Sequence, residues 1–478
     1  MEVIKPYSTY KDSGIAWLGE VPEHWEIKKA RNIGEFNGST VDKKIDESQQ
    51  KVRLVNFLDV YNNPKFEIHE KPFMVVTAKD EQIKKFRVNI GDVVFTPSSE
   101  VREDIGRSAV IKYEANDLVH SYHVIRLKFK ENLDINFKKY LFNNYFVLKY
   151  FSKVCTGSTR KILTRQNFNN IELAIPTLPE QTAIANFLDY KTAKIDRFIF
   201  KKKQLIKLLN EQKAAIINDA VTKGLNPNAK MKPSGIEWLG DIPGHWEVRK
   251  LKYLGKFQNG ISAGAEYFGS GFPFINYGDV YKNFELPKIG SGLANSSEQD
   301  RQNYSVRQGD VFFTRTSETI EEIGYTSTCF STIEDATFSG FLIRFRPYSD
   351  LLFEGFSKYY FRSNLHRRFF VKEMNLVIRA SLSQELLKRM PVLLPTIDEQ
   401  ILIAKYIEKE TAIINKTIAT IEKEIALVQE YRTALIAEAV TGKIDVREYK
   451  VPSFEADKGY AEIEEEMSLV AEEEINLD

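Results

Sequence analysis

The sequence predicts a mixed α/β chain of two tandem homologous globular domains, each followed by a long α-helix. The two helices are predicted to pair as an antiparallel coiled coil with pseudo-twofold symmetry. Three observations carry this prediction. The stretch SGIAWLGEVPEHW (residues 13–25) returns as SGIEWLGDIPGHW (residues 234–246), with nine of thirteen positions identical. Further matching segments follow at an offset that stays between 218 and 221 residues, too long a period for a solenoid unit. After each globular part comes a run of about 40 residues with apolar positions at steps of three, four and seven.

The globular parts are assigned to residues 1–175 and 234–394. Both contain short β-type runs punctuated by glycine. VNFLDVYNN (55–63) matches INYGDVYKN (275–283), and GDVVFTPSSE (91–100) matches GDVFFTRTSE (309–318). GDVVFT and GDVFFT predict a turn followed by a strand. In VIRLKFK (124–130), Ile125, Leu127 and Phe129 alternate with Arg126, Lys128 and Lys130. LIRFRP (342–347) sets Ile343 and Phe345 against Arg344 and Arg346. That alternation predicts a half-buried strand with a basic outer face in each half.

The helices are assigned to residues 176–224 and 395–442. Thr177 with Glu180, and Thr396 with Glu399, fit a capping box. Pro179 sits in a first turn, where its missing N–H costs nothing. The first seam reads Ile184, Phe187, Leu188, Ile195, Phe198, Leu205, Leu208, Leu209 and Ile216. The second reads Ile403, Ile407, Ile414, Ile421, Ile425, Val428 and Leu435. Each spans roughly 60 Å, and Gly224 and Gly442 supply helix stops. A helix with one apolar seam needs a partner, and the second helix supplies it. The intervening domain makes antiparallel pairing easy. Residues 225–233 are a linker, and 443–478 a C-terminal extension.

Composition narrows the function classes. With 43% hydrophobic and 28% charged residues, the chain is of ordinary globular type. No run of ~18 apolar residues is present, and the first residues lack the apolar core of a signal peptide. A cytoplasmic protein with no membrane partner is expected. Cys155 and Cys329 do not occupy matching positions, which argues against a disulfide framework or a cysteine-rich zinc site. The net charge of +1 conceals an asymmetry: residues 455–478 carry −9, so the remaining chain carries +10. A basic body fits an anionic partner, and the acidic tail reads as a solvated or partner-binding end.

Catalytic patterns are sparse. There is no Walker-type phosphate loop, no HExxH and no Asn/Asp-Pro-Pro-aromatic motif. The nearest set to a nuclease metal site is Asp92, Glu100 and Arg102. The second copy offers Asp310 and Glu318 without the basic residue. Both aspartates read better as turn residues after Gly91 and Gly309. No catalytic, cofactor-binding or metal-binding residue is expected.

The repeated SGIxWLG…PxHW openings, the repeated PTxxEQ start of a long helix and the AVTGKIDVR ending (439–447) resemble the specificity (S) subunit of type I restriction–modification systems. The resemblance covers about residues 10–449. It implies two target-recognition domains, each reading half of a split sequence in double-stranded DNA. It implies helices that hold those domains at a fixed distance and dock two methyltransferase (M) subunits, with restriction (R) subunits joining that core. It implies a prokaryotic, non-catalytic chain whose partners use S-adenosylmethionine, ATP and magnesium. The alternative reading is a coiled-coil bridging scaffold that does not read DNA.

Duplication also sorts the residues. Those identical in both halves cannot distinguish two half-sites, so the opening motif, with Trp17, Trp25, Trp238 and Trp246, is assigned to scaffold. Discrimination is assigned to segments that differ at matching places. PSSEVRED (97–104) offers Ser98, Ser99, Glu100 and Arg102, against Arg315, Thr316 and Ser317 in RTSETIEE (315–322). TGSTRKILT (156–164) offers Ser158, Thr159, Arg160 and Lys161, against Arg379 and Ser381 in NLVIRASLS (375–383). Hydroxyl and guanidinium groups at strand ends suit phosphate and base-edge contacts. Arg160 and Arg379 align, so that pair reads as a shared contact. The third differing pair is 39–50 against 262–271.

Overall fold

The computed structural model describes residues 5–317, 323–348, 351–373 and 380–452. Two compact units emerge, Met1–Lys202 with Lys423–Asp478, and Lys203–Glu422. Each therefore combines one globular domain, the start of the helix that follows it, and the end of the other long helix.

In the first unit a five-stranded sheet runs Gly34–Gly38, Ile125–Phe129, Val93–Phe95, Ser108–Ile111, Glu67–Ile68. Its first four strands are antiparallel neighbours, and the last lies parallel to Ser108–Ile111. A smaller sheet runs Leu118–His120, Gln50–Val55, Met74–Ala78. Period-two alternation splits the packing of the larger sheet between two cores. Val93, Phe95 and Leu127 join Phe36, Phe137, Phe142, Phe151 and Phe168 on one side. Val94, Ala109, Ile111 and Val124 join Val55, Val88 and Leu118 on the other. The second unit repeats the plan. Its four-stranded antiparallel sheet runs Gly255–Asn259, Leu342–Pro347, Val311–Thr314, Thr326–Thr328, and a three-stranded sheet runs Gly292–Ala294, Phe268–Ile275, Thr337–Phe338.

The expected basic outer face is corrected. Ile125–Phe129 and Leu342–Pro347 are interior strands with cover on both sides, so Arg126 and Arg344 are buried. Arg126 donates to the Arg87 carbonyl, and Arg344 to the Gln258 side chain. Burial pushes the Arg344 guanidinium down to about 10. Arg346 forms a two-pronged pair with Asp310 at 2.6 Å. Only Lys128 of the alternating basic residues within these strands is exposed. The two aspartates do sit in turns. Gly91 and Gly309 have φ of +83° and +85°. Asp92 and Asp310 accept from the backbone N–H of Asn89 (3.0 Å) and Arg307 (2.8 Å).

The long helices run Leu178–Lys223 and Ile397–Val440. They pair antiparallel within each unit. Asp196 lies 3.4 Å from Arg432, and Lys202 2.7 Å from Glu424, so one number rises as the other falls. In the second unit Lys213 donates to Asn415 at 2.8 Å. The second seam packs as its sequence indicates, with Ile403, Ile407, Ile414, Ile421 and Leu435 buried. The first needs correction: Phe198, Leu205 and Leu208 are exposed. The inward line is Thr192, Ile195, Ile199, Lys202, Ile206, Leu209, Lys213 and Ile217, all buried or half-buried and stepping by four and three. This is a heptad seam. It admits two lysines and a threonine and so escapes a purely apolar template.

The helix ends bind the repeated opening motif. At the second helix, Lys443 N–H donates to the Glu438 carbonyl (2.8 Å) and Gly442 N–H to Ala439 (3.3 Å), a Schellman stop. Gly442 has φ +73°, and a Cβ there would collide with Pro22. Gly224 has φ +70°, and a Cβ there would lie 3.2 Å from both Trp246 and Glu399. At each helix start the glutamate is shared. Glu180 accepts from His24 (2.8 Å) and the buried Trp25 indole (3.4 Å), and Glu399 from His245 (2.9 Å) and Trp246 (3.0 Å). The adjacent glutamine holds the start of a domain helix: Gln181 accepts from Asp134 N–H, at the N-cap of Ile135–Phe142, and Gln400 from Phe353 N–H, at the N-cap of Glu354–Tyr360, each at 2.9 Å. The repeated phrase is a joint between domain and helix.

Candidate nucleic-acid interface

Each domain is closed by a two-stranded clasp, Glu26–Lys29 with Glu172–Ile175 and Glu247–Lys250 with Pro391–Leu394. The differing segments lie between the clasp strands. Two of the three meet directly in both units. Ser98–Ser99 pairs antiparallel with Lys161–Ile162, Lys161 facing Ser99. Thr316–Ser317 pairs with Ala380–Ser381, Thr316 facing Ser381. The pairs are anchored alike: Leu163 N–H donates to the Pro97 carbonyl, and Leu382 N–H to Arg315, each at 2.7 Å.

Within this framework the candidate side chains separate. Ser158, Thr159 and Arg160 are exposed on a tight turn. Gly157 makes that turn at φ +104°, where a Cβ would strike the Arg160 carbonyl. Lys161 is drawn back onto the turn, donating to the Gly157 and Ser158 carbonyls at 2.7 and 2.8 Å. Ser98 is half-buried and Glu100 exposed. Ser99 is buried, and its hydroxyl accepts from Val101 N–H at 3.2 Å. Arg102 reaches back to the Ser152 carbonyl (2.8 Å). In the second unit Arg315, Thr316 and Ser317 are half-buried and Ser381 exposed. The Tyr277 hydroxyl donates to the Thr316 carbonyl at 3.1 Å. Arg379 and residues 318–322 lie outside the described residues.

The third segment reaches the same place. Tyr122 N–H donates to the Val41 carbonyl (3.0 Å), within the 39–50 loop. Neighbouring His123 has its pKa lowered, first by burial and then by Arg160 and Lys43. Those two cations thus stand close enough to act on one imidazole. In the second unit Gly340 N–H donates to the Ile261 carbonyl (2.7 Å), beside the 262–271 loop. Sequence reasoning missed Tyr122, His123 and Phe341. The signal was present: His123 and Phe341 occupy matching positions, one residue before the alternating strand in each half. Among the described residues no group of three or more His, Cys, Asp or Glu could hold a metal ion.

A family model described as "Type I restriction modification DNA specificity domain" matches residues 22–208 and 243–426, well over half of the chain. The chain belongs to this family. The specificity subunit of the Escherichia coli type I restriction enzyme EcoKI is 23% identical over 446 residues, covering 89% of this chain and 90% of that one. A putative type I restriction enzyme specificity subunit, MjaX of Methanocaldococcus jannaschii, is 26% identical over 281 residues, 56% of this chain and 63% of the archaeal one. The fold resembles that of a chain in a solved structure of a type I restriction–modification system. The TM-score is 0.61 at 14% identity, covering 89% of this chain and 99% of that one. The two family segments coincide with the internal duplication, so this specificity subunit carries the family's domain twice. No helix among the described residues is long and apolar enough to cross a membrane.

Proposed function

We propose that each target-recognition domain reads one block of a split, asymmetric DNA site, and that the paired helices hold the gap between the blocks constant. The observation that supports this most directly is the repeated hairpin. Both domains bring the same two segments together on the same clasp, yet present different residues at matching places: Pro97, Ser98 and Ile162 in one, Arg315, Thr316 and Ser381 in the other. A shared frame with exchanged side chains is what reading two different blocks requires. Arg379 belongs to the same proposed surface by its alignment with Arg160.

The helices supply a docking face as well. Leu205 and Leu208 on the first helix, and Leu402, Tyr406, Ile413, Leu427 and Tyr431 on the second, are exposed. Two adenine-N6 methyltransferase subunits are proposed to dock there, with ATP-dependent restriction subunits joining through them. S-adenosylmethionine, ATP and magnesium belong to those partners, and this subunit contributes no catalytic group.

The test is adenine-methylation mapping across a genome, in cells expressing this chain with its methyltransferase subunit and in cells expressing that subunit alone. One split motif, with a fixed gap and a modified adenine on each strand, is expected only with both. A complex that assembles but leaves no motif would favour the bridging scaffold instead.

A further inference from the structure

One side chain on the candidate interface is chemically out of place. Phe341 is 62% exposed, among serines, threonines and an arginine. Its backbone is nevertheless fixed. Phe341 N–H donates to Ser339 Oγ (3.3 Å), and its carbonyl accepts from Arg315 N–H (2.8 Å). Gly340 before it is tied to Ile261, and Arg315 in turn holds Leu382. A Cβ on Gly340 would collide with Ser262, so the turn leaves Phe341 as its one large side chain. All three segments that differ between the domains reach the backbone of this turn: Arg315 directly, Ser262 beside Gly340, and Leu382 through Arg315.

The first unit places aromatics at the matching turn. Tyr122 is 49% exposed. Its ring centroid lies 3.8 Å from that of His123. Tyr122 is tied to the 39–50 loop, and His123 is flanked by Arg160 and Lys43. Burial first, and then the two cations, lower its pKa from the ordinary value and so favour the neutral ring.

A rigidly based apolar ring amid cations and hydroxyls has no use for phosphate, and at the edge of a closed duplex it meets few partners. It gains most by entering a base step, where stacking and loss of apolar surface act together. We propose that Phe341, and the Tyr122–His123 pair in the other domain, each insert into a base step of the half-site under their domain and stack on a base. The aromatic turns would then discriminate by how easily that step opens, in addition to the hairpin's edge contacts. This inference rests on the DNA-reading assignment above.

The test uses the chain assembled with its methyltransferase subunit and duplexes bearing the mapped site, with 2-aminopurine substituted one position at a time. The parent complex is expected to raise emission at one step in each half-site. Phe341→Ala should abolish the rise in the second half-site only, and weaken specific binding about tenfold or more. Phe341→Trp should retain both. Tyr122→Ala with His123→Ala should act on the first half-site only. The exposed position makes these variants fold normally, which a thermal melt checks. The proposal is overturned if Phe341→Ala keeps the parent emission pattern and affinity. It is equally overturned if that variant loses the methyltransferase subunit on gel filtration, because the ring is then a protein contact. Failure of the underlying assignment looks different: the parent complex itself would leave no methylated split motif.

Discussion

One carboxylate in each unit, Glu180 or Glu399, ties a helix start to the Pro-x-His-Trp motif. Burial raises the Glu180 pKa, but hydrogen bonds from His24 and Thr177 outweigh it and hold the carboxyl below its ordinary value. A group depressed on folding contributes stability above its unfolded pKa, near ~4.3, and loses it as pH falls through the folded value. Glu180→Gln is therefore expected to lower the Tm at pH 7, and the difference from the parent should close below about pH 4. Calorimetry across pH checks this, and a gap that persists in acid would contradict it. Trp25 is fully buried beside this carboxylate, so Trp25→Ala should cost about 3–5 kcal/mol in the unfolding of its unit. At the interface, Arg160→Ala should weaken binding to all sequences alike and lower the salt slope by about one, whereas Arg315→Ala should relax a single position of the mapped motif. The scaffold role of the motif was legible in the sequence because the same words occur twice. The burial of Arg126 and Arg344 was not. Alternation identifies two faces of a strand, but only the tertiary layers decide whether the polar face meets water.

At the scale of elements, both long helices, their capped starts and their glycine stops were legible, since caps and periodicity are local. The capping boxes are split between the copies. Glu180 reaches back to Thr177 N–H (3.2 Å), while in the other copy Thr396 Oγ accepts from Glu399 N–H (3.4 Å). The inward line of the first helix was missed because Lys202 and Lys213 occupy seam positions and find Glu424 and Asn415 across it. Long lysine stems cover apolar surface while their ends stay polar. This gives a paired prediction. Ile195→Asp places an unpaired charge in the seam and should lower the Tm by several degrees or more. Leu208→Ser, at a side chain 60% exposed, should leave the Tm unchanged and weaken assembly with the methyltransferase subunit, measured by titration calorimetry. Unchanged assembly would remove Leu208 from the docking face.

For the whole molecule the clasp matters most. In the first unit Ala30 N–H donates to the Ile171 carbonyl at 2.8 Å, and in the second Leu251 N–H donates to Met390 at the same distance. The chain thus leaves and rejoins a common frame at equivalent points, and the three differing segments are strung between them. The joint residues, Trp25 with Glu180 and Trp246 with Glu399, stay outside those limits. Residues 251–390 should therefore replace residues 30–171 without disturbing either helix start. The resulting chain would carry one reading module twice. Under the proposed split site, with a modified adenine on each strand, the two modules would meet the duplex in opposite senses. The methylated motif is then expected to become an inverted repeat of the second block, with the gap unchanged. Methylation mapping decides among three outcomes. An inverted repeat supports modular reading by domains held antiparallel. A direct repeat would keep modular reading and reject the opposed orientation. Retention of the original asymmetric motif would mean that the differing segments do not read DNA, and discrimination would have to be sought outside the clasp.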